Sequence, residues 1–352
     1  MLECKIVSTS EEKNLFLGLP KKLYSSNVLT QDEKLESRIL NKKHTLSNDF
    51  EIYPFIVLMA DEIVARAILT VYENDTTGYV GFFECTNNQV VADCLLNNVR
   101  LKAKELGLVK LLGPLDCSFW IKYRFKTNHF DKYYTNEPYN LEYYKDLWEN
   151  WGFVVCDSYY SNQMKVPTDE DNQEKCKKRL EKMIANGYEF KNPTNKTFNN
   201  DLRNIFRLMT KVYSRFSAFK PITEEQFVSM YDSLKYVVNY DMVFLAYKNK
   251  ELCGFFVTVP NYSNLIFNLN LLNFTNIFSI KNNCKEYVML YMGASPEHLG
   301  LGGSFAELAK NYLKEHNCTS IGALIHEGNS SGVFYKNLIE DKYTYVLMET
   351  EV

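Results

Sequence analysis

The chain passes twice through one succession of apolar segments, and that recurrence is the tightest constraint on its fold. In the first pass, residues 51–59 and 63–72 are apolar, β-branched runs around the polar turn Ala60-Asp61-Glu62, which predicts an antiparallel hairpin. A strand over 78–84 follows, then an amphipathic helix over about 89–106, with Val91, Leu95, Leu96, Val99 and Leu101 expected on its buried side. Gly107 stops that helix, a strand returns at 109–112, a helix near 141–151 ends at Gly152, and a strand over 153–164 closes the half. The second pass opens with a charged helix over 171–186, a short strand at 188–191 and helices over 199–217 and 223–234. The hairpin then recurs as 242–247 and 252–259, followed by a strand over 287–292, a helix over 304–316, a strand over 320–325, a helix over 331–339 and a last strand over 343–348. A repeated order without residue identity at a fixed period predicts two tandem copies of one layered α/β fold. Each copy is expected to be a mixed, mostly antiparallel sheet flanked by helices, over residues 1–164 and 165–352, with Val166-Pro167-Thr168-Asp169-Glu170 as linker.

Charge narrows the partners. Lys plus Arg number 40 against 43 Asp plus Glu, a net −3, so no overall attraction to nucleic acid or to an anionic membrane is expected. No apolar run approaches the roughly 20 residues that span a bilayer. The opening Met1-Leu2-Glu3-Cys4-Lys5 lacks the apolar core of a secretion signal, which predicts a soluble, cytoplasmic protein. Nine cysteines are scattered without a C-x-x-C pair and the five histidines show no ligand spacing, so no metal is expected.

The stretch most informative about chemistry runs from Tyr291 and Met292 through Gly293-Ala294-Ser295-Pro296-Glu297-His298-Leu299-Gly300-Leu301-Gly302-Gly303-Ser304 into a helix. A glycine-rich turn between strand and helix exposes successive backbone N–H groups, and the helix N-terminus adds about half a positive charge. Glycine matters there because a side chain would keep a phosphate away. The same turn can also serve as a plain connector. A Walker loop is excluded, because no Gly-Lys-Ser/Thr ends it. A Rossmann fingerprint fails as well, because Phe305 stands where the last glycine belongs.

The order hairpin, strand, glycine turn, helix, strand, helix, strand resembles the GCN5-related N-acetyltransferase (GNAT) superfamily. Its acyl-CoA loop reads R/Q-x-x-G-x-G/A, usually after a proline; here Pro296 precedes, Gly300 and Gly302 match, and Ser304 holds the last small position. Leu299 stands at the usual Arg/Gln position, which removes a side-chain phosphate contact and leaves the amides of Gly300, Leu301, Gly302, Gly303 and Ser304. The resemblance implies acetyl-CoA or another acyl-CoA as co-substrate, its arm lying where the strand over 288–293 splays from the strand over 320–325. It implies an oxyanion donor at Met292 or Gly293, an Asn near the thioester at Asn329, and a Tyr acid at Tyr335. Glu286 and Glu327 are the candidate bases.

The first half looks like the same fold without the phosphate loop, since Cys85-Thr86-Asn87-Asn88-Gln89 gathers no glycines. Its Gly18-Leu19-Pro20, Leu112-Gly113-Pro114-Leu115-Asp116 and Asn136-Glu137-Pro138-Tyr139 resemble a group of bacterial two-domain acetyltransferase-like proteins. Trp120, Tyr123, Arg124 and Glu137 are the candidate substrate residues there; packing is the alternative role for them. The expected activity is N-acyl transfer to a small-molecule amine by direct attack on the thioester, in a monomer or homodimer. The alternatives are a non-catalytic acyl-CoA-binding or interaction protein, and an aminoacyl-tRNA-dependent transferase, which the balanced charge disfavours.

Overall fold

The computed structural model describes all residues except 172–173, 215, 217, 268–270 and 329–333. In chain order the elements of the first half are β1 (Leu2–Ile6), α1 (Ser10–Leu23), α2 (Glu33–Leu40), β2 (Phe50–Met59), β3 (Glu62–Tyr72), β4 (Thr77–Cys85), α3 (Gln89–Glu105), β5 (Lys110–Gly113), β6 (Phe125–Lys126), α4 (Tyr144–Trp151) and β7 (Val154–Met164). The second half contributes α5 (Glu174–Ala185), β8 (Glu189–Lys191), α6 (Phe198–Tyr213), α7 (Glu224–Tyr231), β9 (Val243–Lys248), β10 (Glu251–Pro260), α8 (Leu271–Asn282), β11 (Glu286–Ala294), α9 (Leu301–Glu315), β12 (Thr319–His326) and β13 (Ile339–Glu351).

Two compact units result. The first holds Met1–Tyr133, Pro138–Ser158 and Thr344–Val352; the second holds Tyr134–Glu137 and Tyr159–Tyr343. In the first, β1, β2, β3 and β4 pair antiparallel in sequence order, β4 pairs parallel with β5, and β5 pairs antiparallel with the end of β13. In the second, β8, β9, β10 and β11 pair antiparallel, β11 pairs parallel with β12, and β12 pairs antiparallel with residues 159–164 of β7. Each unit is therefore a mixed, mostly antiparallel sheet with one parallel joint. Its last strand is supplied by the other half of the sequence.

Both hairpins form because their polar turns reach the left-handed region: Ala60 and Asp61 have φ 50° and 66°, Asn249 and Lys250 φ 51° and 70°. Helix α3 closes the first core with Val91, Leu95, Leu96 and Val99 buried, and Asn88 caps it by accepting from the Val90 N–H. Leu101 is 59% exposed, a correction to its expected burial. Two positions past Val99 is about 200° around the helix, off the stripe that Val91, Leu95 and Val99 share. In the second unit, Phe256, Leu301, Phe305, Ala309 and Leu313 pack α9 against the sheet. Helix α8 falls in the connection over 261–285, where the sequence predicts no definite form. Among the described residues, no helix is long and apolar enough to cross a membrane.

Candidate functional site

The parallel joint of the second unit opens partway along. β11 and β12 pair from Glu286 with Thr319 as far as Met289 with Gly322, yet β11 runs on to Ala294 and β12 to His326. An extra residue on each strand accounts for the separation. Against β10, Val257 pairs with Tyr291 and Thr258 with Met289, which leaves Leu290 as a bulge in β11. Against β7, Gly322 pairs with Asn162 and Ile325 with Tyr160, so Ala323 and Leu324 together face Ser161. Leu324 is held at φ 56°, its N–H donating to Ser161 Oγ at 2.8 Å. Bulges sharpen local twist, and here they turn the strand ends apart. Beyond Met289 the β12-facing edge of β11 lacks its strand partner, while the Tyr213 hydroxyl donates to the Met292 carbonyl at 3.2 Å.

Past β11 the chain turns through residues 295–298, with the His298 N–H on the Ser295 carbonyl at 2.9 Å. Gly300 then caps α9 at φ 107°, in the left-handed region that favours glycine, and offers no side-chain cap. Ser304 N–H donates to the Gly300 carbonyl at 3.3 Å. Among the described residues, no protein acceptor meets the N–H groups of Leu301, Gly302 and Gly303. Leu299 is 84% exposed. The small residues also admit neighbours: a Cβ on Gly302 would stand 3.3 Å from Phe334, and one on Gly303 would stand 3.0 Å from Arg179 Cδ. Arg179 thus lies along the first turn of α9, and with Glu174, Lys175, Lys178 and Lys182 it lines a shallow groove on α5, in which Lys178 pairs with Glu174 at 2.9 Å.

No protein-family model matches the sequence. Over 52 residues the chain is 42% identical to Protein YghO of Escherichia coli (strain K12), a match covering 15% of this chain and 13% of that protein. Among solved structures, a tandem GNAT protein from the clavulanic acid biosynthesis pathway superposes with TM-score 0.54 at 12% identity, over 100% of this chain and 98% of that one. This is a tandem GNAT fold. A GCN5-related N-acetyltransferase from Sphaerobacter thermophilus superposes with TM-score 0.51 at 11% identity, over 99% and 95% of the two chains.

Within this GNAT fold the candidate acid–base groups occupy different surroundings. Glu286 lies at the zipped end of β11 and accepts from Gln163 at 2.6 Å, Asn261 at 2.5 Å and Thr319 at 3.2 Å. Glu327 is exposed just past β12, close enough to Tyr160 to help burial raise that hydroxyl's pKa. Tyr335 is 3% exposed, and its hydroxyl donates to Glu307 of α9. Burial first, then the Glu307 carboxylate, push that hydroxyl's pKa well above its ordinary value. The helix predicted over 331–339 is described only as a 3₁₀ turn at Lys336–Leu338, and Asn329 lies outside the described residues.

The substrate candidates of the first half are all buried. Trp120, Tyr123 and Arg124 lie inside the first unit, with the Arg124 guanidinium 3.7 Å above the Tyr123 ring. Glu137, in the second, accepts the Tyr134 N–H at 3.3 Å and donates its own N–H to the Tyr134 carbonyl at 3.1 Å. The first unit's parallel joint also parts, after Tyr79 pairs with Leu112, but its own chain fills the gap. Leu115 N–H donates to the Val80 carbonyl at 2.8 Å, and Asp116 Oδ1 accepts the Phe82 N–H at 2.5 Å. Gly81 is required, since a Cβ there would stand 2.0 Å from the Leu115 carbonyl oxygen.

Sequence reasoning overlooked Arg179, Tyr213, Phe216 and His326. The α5 cations could have been noticed, since Lys175, Lys178, Arg179 and Lys182 recur at helical spacing along one face. Nothing local marks the other three. They are brought to the open joint by α6 and by the far end of β12.

Proposed function

We propose that this protein transfers the acyl group of an acyl-CoA, acetyl-CoA in the simplest case, to the amine of a small molecule. The observation that carries the reading is the conjunction of an unzipped β11–β12 joint with unengaged amides at the start of α9. When bound, the acyl-CoA supplies an activated thioester carbonyl. The N–H groups of Leu301, Gly302 and Gly303 would hold its diphosphate, and Arg179 would add the charge that Leu299 does not. The edge of β11 over 290–293, where pairing with β12 has ended, would take the extended arm as an added strand. A backbone N–H at Met292 or Gly293 would face the charge that develops on the carbonyl oxygen. Holding both reactants in one cleft contributes much of the rate. Tyr335, already bonded to Glu307, is assigned to bracing α9 rather than to protonating the thiol.

That tie also supports a second reading, acyl-CoA binding without transfer. Calorimetry and free-thiol release separate the two. Acetyl-CoA binding accompanied by thiol release with small amines supports transfer; binding with no release supports the second reading. Gly302→Trp, which drives an indole toward Phe334, should weaken acetyl-CoA binding more than about tenfold while the far-ultraviolet spectrum stays native. No binding by the wild type at millimolar acetyl-CoA, or unchanged affinity in Gly302→Trp, overturns the site.

A further inference from the structure

Counting outward from the last paired residues places His326 across the open joint from the candidate oxyanion donor. Gly293 is four residues past Met289 on β11, and His326 is four residues past Gly322 on β12. The two limbs share a neighbour at that level. Tyr213, at the end of α6, reaches the Met292 carbonyl with its hydroxyl; Phe216 packs 5.5 Å from the Tyr213 ring and 5.9 Å from the His326 ring. The imidazole also meets Tyr159 of β7, its cross-strand partner, edge-on at 5.1 Å. By strand alternation Tyr160 turns to the other face of β7 from Tyr159, where Glu327 and Lys342 of β13 lie against it, the Lys342 ammonium 4.3 Å over its ring. Of the two carboxylates considered as bases, Glu286 is engaged by three donors at the closed end, and Glu327 follows His326 at the end of the open limb.

We infer that His326 accepts the ammonium proton of the incoming primary amine, an assignment that rests on the acyl-transfer reading above. Imidazole is the side chain whose charge changes in the neutral range, which suits a proton acceptor at that pH. An amine in neutral water arrives as an ammonium and must lose one proton before its electron pair can form the C–N bond. That proton passes to the imidazole and from there to solvent. As the C–S bond breaks, its electron pair leaves on sulfur and the second nitrogen proton ends there, giving an amide and a free thiol.

The test compares the wild type with His326→Gln, using acetyl-CoA with two nucleophiles at neutral pH: n-propylamine, which is protonated, and hydroxylamine, which is not. The variant should bind acetyl-CoA by calorimetry within about twofold of wild type, release thiol with n-propylamine about 10²-fold more slowly, and release it with hydroxylamine at nearly the wild-type rate. In proton NMR, the His326 imidazole signal, identified by its loss in the variant, should move when acetyl-CoA is added, while the buried His44 signal stays put. Equal losses with both nucleophiles, no loss with either, or an imidazole signal indifferent to bound acetyl-CoA overturns the assignment. A wild type that binds acetyl-CoA and releases no thiol with either nucleophile overturns the transfer reading, and the assignment with it.

Discussion

Ser161 is fully buried, and its hydroxyl meets the Leu324 N–H and the Tyr134 hydroxyl, each at 2.8 Å. It therefore holds the bulge that swings β12 away from β11. Ser161→Ala would take one hydrogen bond from the half-buried Leu324 N–H and one from the buried Tyr134 hydroxyl, at a cost of about 1–3 kcal/mol. We expect a lower urea midpoint together with weaker acetyl-CoA binding, because the bulge can then relax toward a zipped joint. Equilibrium unfolding and calorimetry on the same preparation check this; a variant that loses stability and keeps full affinity would separate the bulge from the site. Residue type alone was a poor guide here. Glu286 and Tyr335 carry the right chemistry in the sequence, yet their oxygens are bonded to Gln163 and Asn261 in one case and to Glu307 in the other.

At the scale of elements, the pairing of α5 with α9 matters most. The two run antiparallel, since Met183 lies by Gly300, Arg179 by Gly303 and Cys176 near Glu307. The glycines thus serve two purposes, opening the helix start and letting α5 approach it. Arg179→Ala should weaken acetyl-CoA binding roughly three- to tenfold, a modest effect because the guanidinium is partly exposed, and should flatten the dependence on salt. Calorimetry at low and moderate ionic strength measures both, and an unchanged salt slope would remove Arg179 from the phosphate site. The hairpins, α3 and the glycine turn were legible in the sequence because their signals lie within a few residues of one another. The α5–α9 contact was not legible, because nothing in a charged helix names the element it packs on.

For the whole molecule, the contrast lies in how each unit treats the gap at its parallel joint. The first unit fills it with Leu115 and Asp116; in the second, β11 past Met289 has no pairing with β12 among the described residues, and the Tyr213 hydroxyl meets the Met292 carbonyl on that stretch. We therefore expect a single equivalent of acetyl-CoA per chain by calorimetry, and a second equivalent would mean that the Leu115–Asp116 bonds give way to ligand. By itself the sequence determined the doubled layered α/β architecture, its hairpins and the glycine-rich approach to α9, though the helix expected from about 304 begins at Leu301 with Gly300 as its cap. Those follow from hydrophobic periodicity and turn chemistry, which act between near neighbours along the chain. Only the tertiary structure decided where β11 and β12 part, which carboxylates are already engaged, and that His326 and Arg179 stand beside the opening. Those outcomes depend on partners far away in sequence, such as Gln163 on Glu286 across 123 residues and Ser161 on Leu324 across 163, which no local pattern encodes.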